Sequence, residues 1–125
     1  MNAAEKTRLV VDAALAVKAE DVVALDVKEL ASFADVFVVA TGRSDRQVRA
    51  VADSIEKAMR EVGEPVLGVE GYPEGRWVLI DLADVIVHVF QPESRAHYDI
   101  ERLWSDAPQL VVPHGAPAPA EKRVR

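Results

Sequence analysis

The chain holds 125 residues, half of them hydrophobic and 29% charged, with no cysteine and a formal net charge of −6. That length and balance suit one globular domain, and the missing cysteine excludes disulfide scaffolds and thiolate metal sites. The negative charge argues against nonspecific adhesion to nucleic acid, which needs a surplus of lysine and arginine.

The first nine residues carry Glu5, Lys6 and Arg8 and have no apolar core of signal-peptide length. No run approaches the roughly 18 apolar residues that span a bilayer, so a soluble, cytoplasmic protein is expected. Asn2 to about Glu20 spaces Leu9, Ala13, Ala16 and Val17 at helical intervals, with Asn2 and Glu5 three apart as in a capping box. Asp21 to Val27 is β-branched and predicts a strand. Ser32 to Ala34 connects it to a second strand, Asp35–Thr41, whose Val36-Phe37-Val38-Val39 core does not alternate. Such a strand is central and covered on both faces, which implies helices above and below the sheet.

Thr41-Gly42-Arg43 is a turn, after which Ser44 caps a helix and Gln47 completes the box three residues on. Val48, Val51, Ala52, Ile55, Met59 and Val62 make its apolar stripe, and Gly63 supplies a left-handed stop. Pro65–Val69 reads as a short strand and residues 71–75 as a loop of turn formers. Arg76–Leu82 and Asp84–Phe90 predict two strands paired antiparallel through a tight turn near Ala83. Gln91-Pro92 opens a last helix with Ala96, Ile100, Leu103 and Trp104 on one face. Residues 1–106 therefore form the domain, a mixed α/β sheet of about five strands with flanking helices. Residues 107–125, with Pro108, Pro113, Pro117 and Pro119, read as a flexible proline- and alanine-rich tail. Lys122, Arg123 and Arg125 against Glu121 put the end of the chain at +2, leaving residues 1–112 at about −8.

Several groups could carry chemistry. The Thr41–Ser44 turn at a helix N-terminus could hold a phosphate, but it lacks the glycines and lysine of a P-loop, and capping alone explains its residues. Asp26, Asp81 and Asp84 lie at strand ends and could serve a nucleotidyltransferase-like or nucleotide-binding enzyme. Their spacing is poor for a shared metal, and aspartate is common in turns. His97 and Glu101 stand four apart on the last helix without a third ligand. His88 interrupts Val85–Phe90 on the face of Ile86 and Phe90 and, if buried, needs hydrogen-bond partners. Along Arg76–Leu82, Val78, Ile80 and Leu82 form the purer apolar face, which should meet the core. Trp77 and Asp81 then fall on the other face, where tryptophan serves either as a partner anchor or as an edge cover for the core.

These pieces, taken in order, resemble one family. Ala34-Asp35 before an apolar strand, Thr41-Gly42-Arg43-Ser44-Asp45-Arg46-Gln47-Val48 and Ala52-Asp53 match its first half. Val69-Glu70-Gly71, Gly75–Leu82, Asp84–Phe90, and Arg95, Tyr98 and Glu101–Trp104 match its second. The chain is similar to the ribosomal silencing factors, the Iojap-related family, over about residues 5–106. It departs at Ala83, where the family commonly has glycine. The resemblance implies a fold like that of nucleotidyltransferases without the catalytic carboxylates, no reaction and no cofactor. It implies a repressor of translation that binds the large ribosomal subunit through its fourteenth protein, on the face that meets the small subunit, and hinders subunit joining. Free dimers are expected too. Carried onto this chain, the partner-binding residues would be Trp77, Asp81, Leu82, Asp84, His88 and Tyr98.

Overall fold

Asn2 caps the first helix, α1 (Ala3–Ala16). Its side chain accepts from the Glu5 amide at 2.8 Å while the Glu5 carboxylate accepts from the Asn2 amide at 3.0 Å, the reciprocal box expected from the sequence. The helix stops short of Glu20. Lys18 enters the left-handed region at φ 69°, and the Ala19 amide closes on the Ala14 carbonyl, so Glu20 already belongs to β1 (Glu20–Asp26).

The computed structural model describes residues 1–111, and most of the expected tail, including Pro113, Pro117 and Pro119, lies outside them. After β1 come β2 (Val36–Thr41), α2 (Asp45–Glu61), β3 (Gly68–Glu70), β4 (Trp77–Asp81), β5 (Val85–Phe90), α3 (Pro92–Tyr98), α4 (Ile100–Leu103) and β6 (Gln109–Leu110). The strands form one mixed sheet in the order β3-β4-β5-β2-β1-β6, in which only β2 and β5 run parallel. The mixed α/β class and the antiparallel β4–β5 pair are as expected. The sheet has six strands rather than about five, because Leu110 and Gln109 pair with Ala24 and Leu25. The Asp26 amide also reaches the Pro108 carbonyl at 2.8 Å, and Ala107 is buried. Two paired residues carry no periodicity, so only the exposed edge of β1 could recruit them.

All six residues of β2 are buried, as its unbroken apolar run requires. On one face α1 and α2 supply Val10, Ala14, Val48, Val51, Ile55 and Met59 to a core shared with Val38, Val78, Ile80 and Val87. Each valine, isoleucine or methionine among them contributes about 1.5–3 kcal/mol by leaving water. The opposite face is covered thinly. Ile100, Trp104 and Ala107 pack over Leu25, Phe37 and Val39, and the rest of that face is left to aromatic side chains.

The last helix differs from its expected form. It breaks at Asp99, φ 50° and ψ 51°, into α3 and α4. Ile100 is buried as expected, but Ala96 and Leu103 are exposed. The cause is tertiary. Arg95 donates to the Asp21 carbonyl at 2.7 Å and Thr41 Oγ1 at 2.8 Å, and it grips Glu101 through Nε and Nη2. Aspartate tolerates the left-handed residue that this grip requires. The break also separates His97 from Glu101, whose carboxylate is held by Arg95, so they do not form a helical pair of ligands.

Candidate partner-binding face

Strand alternation sorts β4 as the sequence implies. Val78 and Ile80 point into the α1–α2 core, and Trp77, Leu79 and Asp81 are half-buried on the other face. Trp77 is held in place by its backbone neighbour Gly71. A Cβ on Gly71 would stand 2.0 Å from the Trp77 carbonyl oxygen, and Gly71 itself has φ 82°, so only glycine fits. The 71–75 loop is further pinned by Tyr72, whose hydroxyl donates to Asp53 at 3.0 Å, and by Arg49, which donates to the Pro73 carbonyl at 3.1 Å.

An aromatic cluster grows from Trp77. Its ring lies 4.5 Å from that of Tyr98 and 5.0 Å from that of Phe90. Tyr98 is 48% exposed, so the pair stands partly in solvent at the rim. Trp77 therefore both covers Phe90 and presents a surface, which joins the two readings its sequence position allows. Trp77 Nε1 donates to His88 Nδ1 at 3.2 Å. His88 is buried, and desolvation lowers its pKa to about 4, so it is neutral at physiological pH.

The other expected contact residues behave differently. Leu82 is 1% exposed and belongs to the α1–α2 core, so its side chain offers no surface. Alternation already places it with Val78 and Ile80, and the tight turn does not undo that. Asp84 is not a free carboxylate. The buried Lys6 ammonium donates to Asp84 Oδ1 at 2.7 Å and to the Leu82 carbonyl at 2.9 Å, with Glu64 at 3.5 Å. The Asp84 carbonyl meanwhile accepts from Asp35 and Val36. Between the clamped residues Ala83 takes φ 77°, and its amide donates to Asp81 Oδ1 at 2.9 Å. The turn is thus built around a left-handed alanine held from both sides. Lys6 was invisible as a functional neighbour, since 76 residues separate it from Leu82.

The sequence also missed Phe33 and Leu67. Phe33, 57% exposed, stacks on Phe37 and meets the edge of Trp104, and Leu67 is 60% exposed. With Phe37, Leu79, Ile86, His88 and Asp81 they line a groove of about 500 Å³ on the open face. A phenylalanine within a connector between strands was the available signal, since loops normally shun large apolar side chains.

Neither the aspartates nor the Thr41–Ser44 turn forms the catalytic or phosphate-binding site that the sequence allowed. Asp26 and Asp81 sit on strands three places apart in the sheet, roughly 14 Å at the usual strand spacing, so Asp26, Asp81 and Asp84 do not converge. At the Thr41–Ser44 turn, Gln47 Oε1 already takes the Arg43 amide at 2.9 Å, and Ser44 Oγ takes the Gln47 amide at 3.1 Å. Two of the donors that would face a phosphate are therefore occupied.

Fold and face together define a small α/β protein with one packed sheet face and one open, aromatic, acid-edged face. Residues 1–125 match the family described as Ribosomal silencing factor during starvation. The chain is 46% identical over 112 residues to Ribosomal silencing factor RsfS of Halalkalibacterium halodurans, covering 90% of this chain and 96% of that protein. It is 45% identical over 98 residues to the RsfS of Bacillus subtilis, covering 78% and 83% respectively. A crystal structure of a Chromobacterium violaceum protein superposes with a TM-score of 0.83 at 42% identity, covering 84% of this chain and 88% of that one. The chain belongs to the ribosomal silencing factor family.

Proposed function

We propose that this protein represses translation by binding the large ribosomal subunit through its fourteenth protein and sterically blocking the small subunit from joining. It acts as a ligand of the ribosome in the cytoplasm rather than as an enzyme, and it self-associates when free. Family membership supports a ribosome-associated regulatory role. The observation that carries the finer reading is the Trp77–Tyr98 pair, two large rings 4.5 Å apart and half in solvent at the edge of an acidic domain. Aromatic anchors supply desolvated contact, and net negative charge steers toward the basic proteins of the ribosome. Within the expected contact set the geometry favours Trp77, Tyr98 and Asp81 as direct contacts. Asp84 and Leu82 would shape the turn beside them.

Sedimentation with separated subunits tests this. Co-migration with the large subunit alone is expected, and addition of the protein should reduce reassociation with small subunits. Trp77→Ala should weaken binding by about 30-fold or more, the usual cost of truncating an anchor. Equal binding by Trp77→Ala and Tyr98→Ala would sink the proposed face, and co-migration with neither subunit would sink the function.

A further inference from the structure

We infer that His88 is a hydrogen-bond donor of fixed orientation. At the base of the open-face groove, its Nε2–H donates to a carbonyl or hydroxyl oxygen borne on an otherwise apolar side chain of a basic protein loop. The inference rests on the large-subunit reading and names the partner chemistry at one part of that face.

The argument begins with a bond that allows one arrangement. Tryptophan Nε1 can only donate, so the 3.2 Å contact from Trp77 leaves His88 Nδ1 as the acceptor and unprotonated. A neutral imidazole keeps one N–H, which must then be at Nε2. That nitrogen is buried and has no hydrogen-bond partner among the described residues. Trp77 is not part of the groove, whereas His88 is among its lining residues. Phe37 lies beside the imidazole, with ring centres 5.2 Å apart and planes at 72°. A buried N–H without a partner forfeits a hydrogen bond, so an oxygen atom that reaches it binds with gain. Phe33 stacks on Phe37 and is far the more exposed of the two rings, so movement of Phe33 opens the way in while Phe37 stays as a wall.

The walls decide what can enter. Phe33, Phe37, Leu67, Leu79 and Ile86 offer no group to solvate a charge, so the inserted side chain is neutral and mostly apolar, with one acceptor. Asp81 stands on the same groove and spends only one oxygen on the Ala83 amide. It favours a lysine or arginine next to the inserted residue. The same carboxylate and the net charge of −6 disfavour a phosphate backbone, which selects protein over RNA.

The test has two arms on the full chain. Imidazole nitrogen–proton correlation spectra should show the Nε2–H form of His88. Dimethyl sulfoxide, an apolar body with one strong acceptor, should move that proton downfield saturably. In the second arm, sedimentation with purified large subunits compares His88→Phe, which loses the donor, with His88→Gln, which keeps an N–H near Nε2. Binding should fall about tenfold in the first and by less than about threefold in the second, at temperatures where both are folded. The inference is overturned by an Nδ1–H ring, by a flat response to dimethyl sulfoxide, by His88→Phe binding like the wild type, or by protein-free ribosomal RNA binding in a His88-dependent way. If the wild type ignores the large subunit, the repressor reading fails, while the solvent titration still decides whether His88 is an available donor.

Discussion

The two faces of the sheet are built on different principles. Under α1 and α2, aliphatic side chains from two long helices interlock with Val38, Val78, Ile80 and Val87. On the opposite face the cover is partial: Ile100 and Trp104 lie over β1 and β2, and Tyr98 at the end of α3 meets only the rim at Trp77 and Phe90. From Phe33 through Phe37 and His88 to Trp77 and Tyr98, rings meet rings at 4.5–6.0 Å, with a buried donor left unpaired. Close aliphatic packing maximises stability. Large, rigid and partly wet rings hold less of the fold together and leave contact area for a partner. One face therefore stores the stability and the other keeps surface in reserve.

Neighbouring residues of β4 give the sharpest way to break that comparison. Ile80→Ala, on the helix-covered face, should cost about 3 kcal/mol by chemical denaturation, because it empties a fully buried site. Leu79→Ala, one residue away on the open face, should cost less than about 1 kcal/mol. Equal costs would mean that the open face is as much a core as the other.

The pH dependence of stability should come from the open face. His88 is neutral in the fold with a pKa near 4, and in the unfolded chain it titrates near 6.5. Between those values the unfolded state binds more protons, so stability falls as pH drops from about 6.5 toward 4. The loss attributable to His88 is up to ~3 kcal/mol, and above pH 6.5 its effect is flat. Denaturation midpoints for wild type and His88→Phe at pH 7 and pH 4.5 should diverge, with the smaller drop in the variant. The smallest effect is expected at the turn between the faces. Ala83→Gly relieves a left-handed alanine and should change stability by only about +0.5 to +1 kcal/mol, since the freedom glycine gains in the unfolded chain offsets part of the relief. Clear destabilisation would show that Lys6 and Asp81 already remove the strain.

Much of the covered face was legible in the chain. The reciprocal box of Asn2 with Glu5, the Ser44 cap (without the second half of its expected box, since Gln47 takes the Arg43 amide), the stripe from Val48 to Met59 and the alternation of Val78, Ile80 and Leu82 each encode their place through local rules of period and capping. The open face was less so. Trp77, Asp81 and Tyr98 stood out and do lie on or beside it, whereas Leu82 proved to be core and Asp84 proved to be paired with a lysine from the first helix. Phe33 and Leu67 gave no periodic signal, since both sit in connectors.

Taken alone, the sequence determined the class of the fold, the antiparallel β4–β5 pair, the packed faces of α2 and β4, and the family. Those features depend on residues near one another in the chain, or on an ordered string of motifs. Only the tertiary structure decided that Asp99 breaks the last helix, that Pro108–Leu110 extend the sheet, that Lys6 holds the Ala83 turn, and that Trp77 fixes which nitrogen of His88 carries the proton. Each of these depends on groups brought together from distant positions by the folded sheet, and no local pattern records such a meeting.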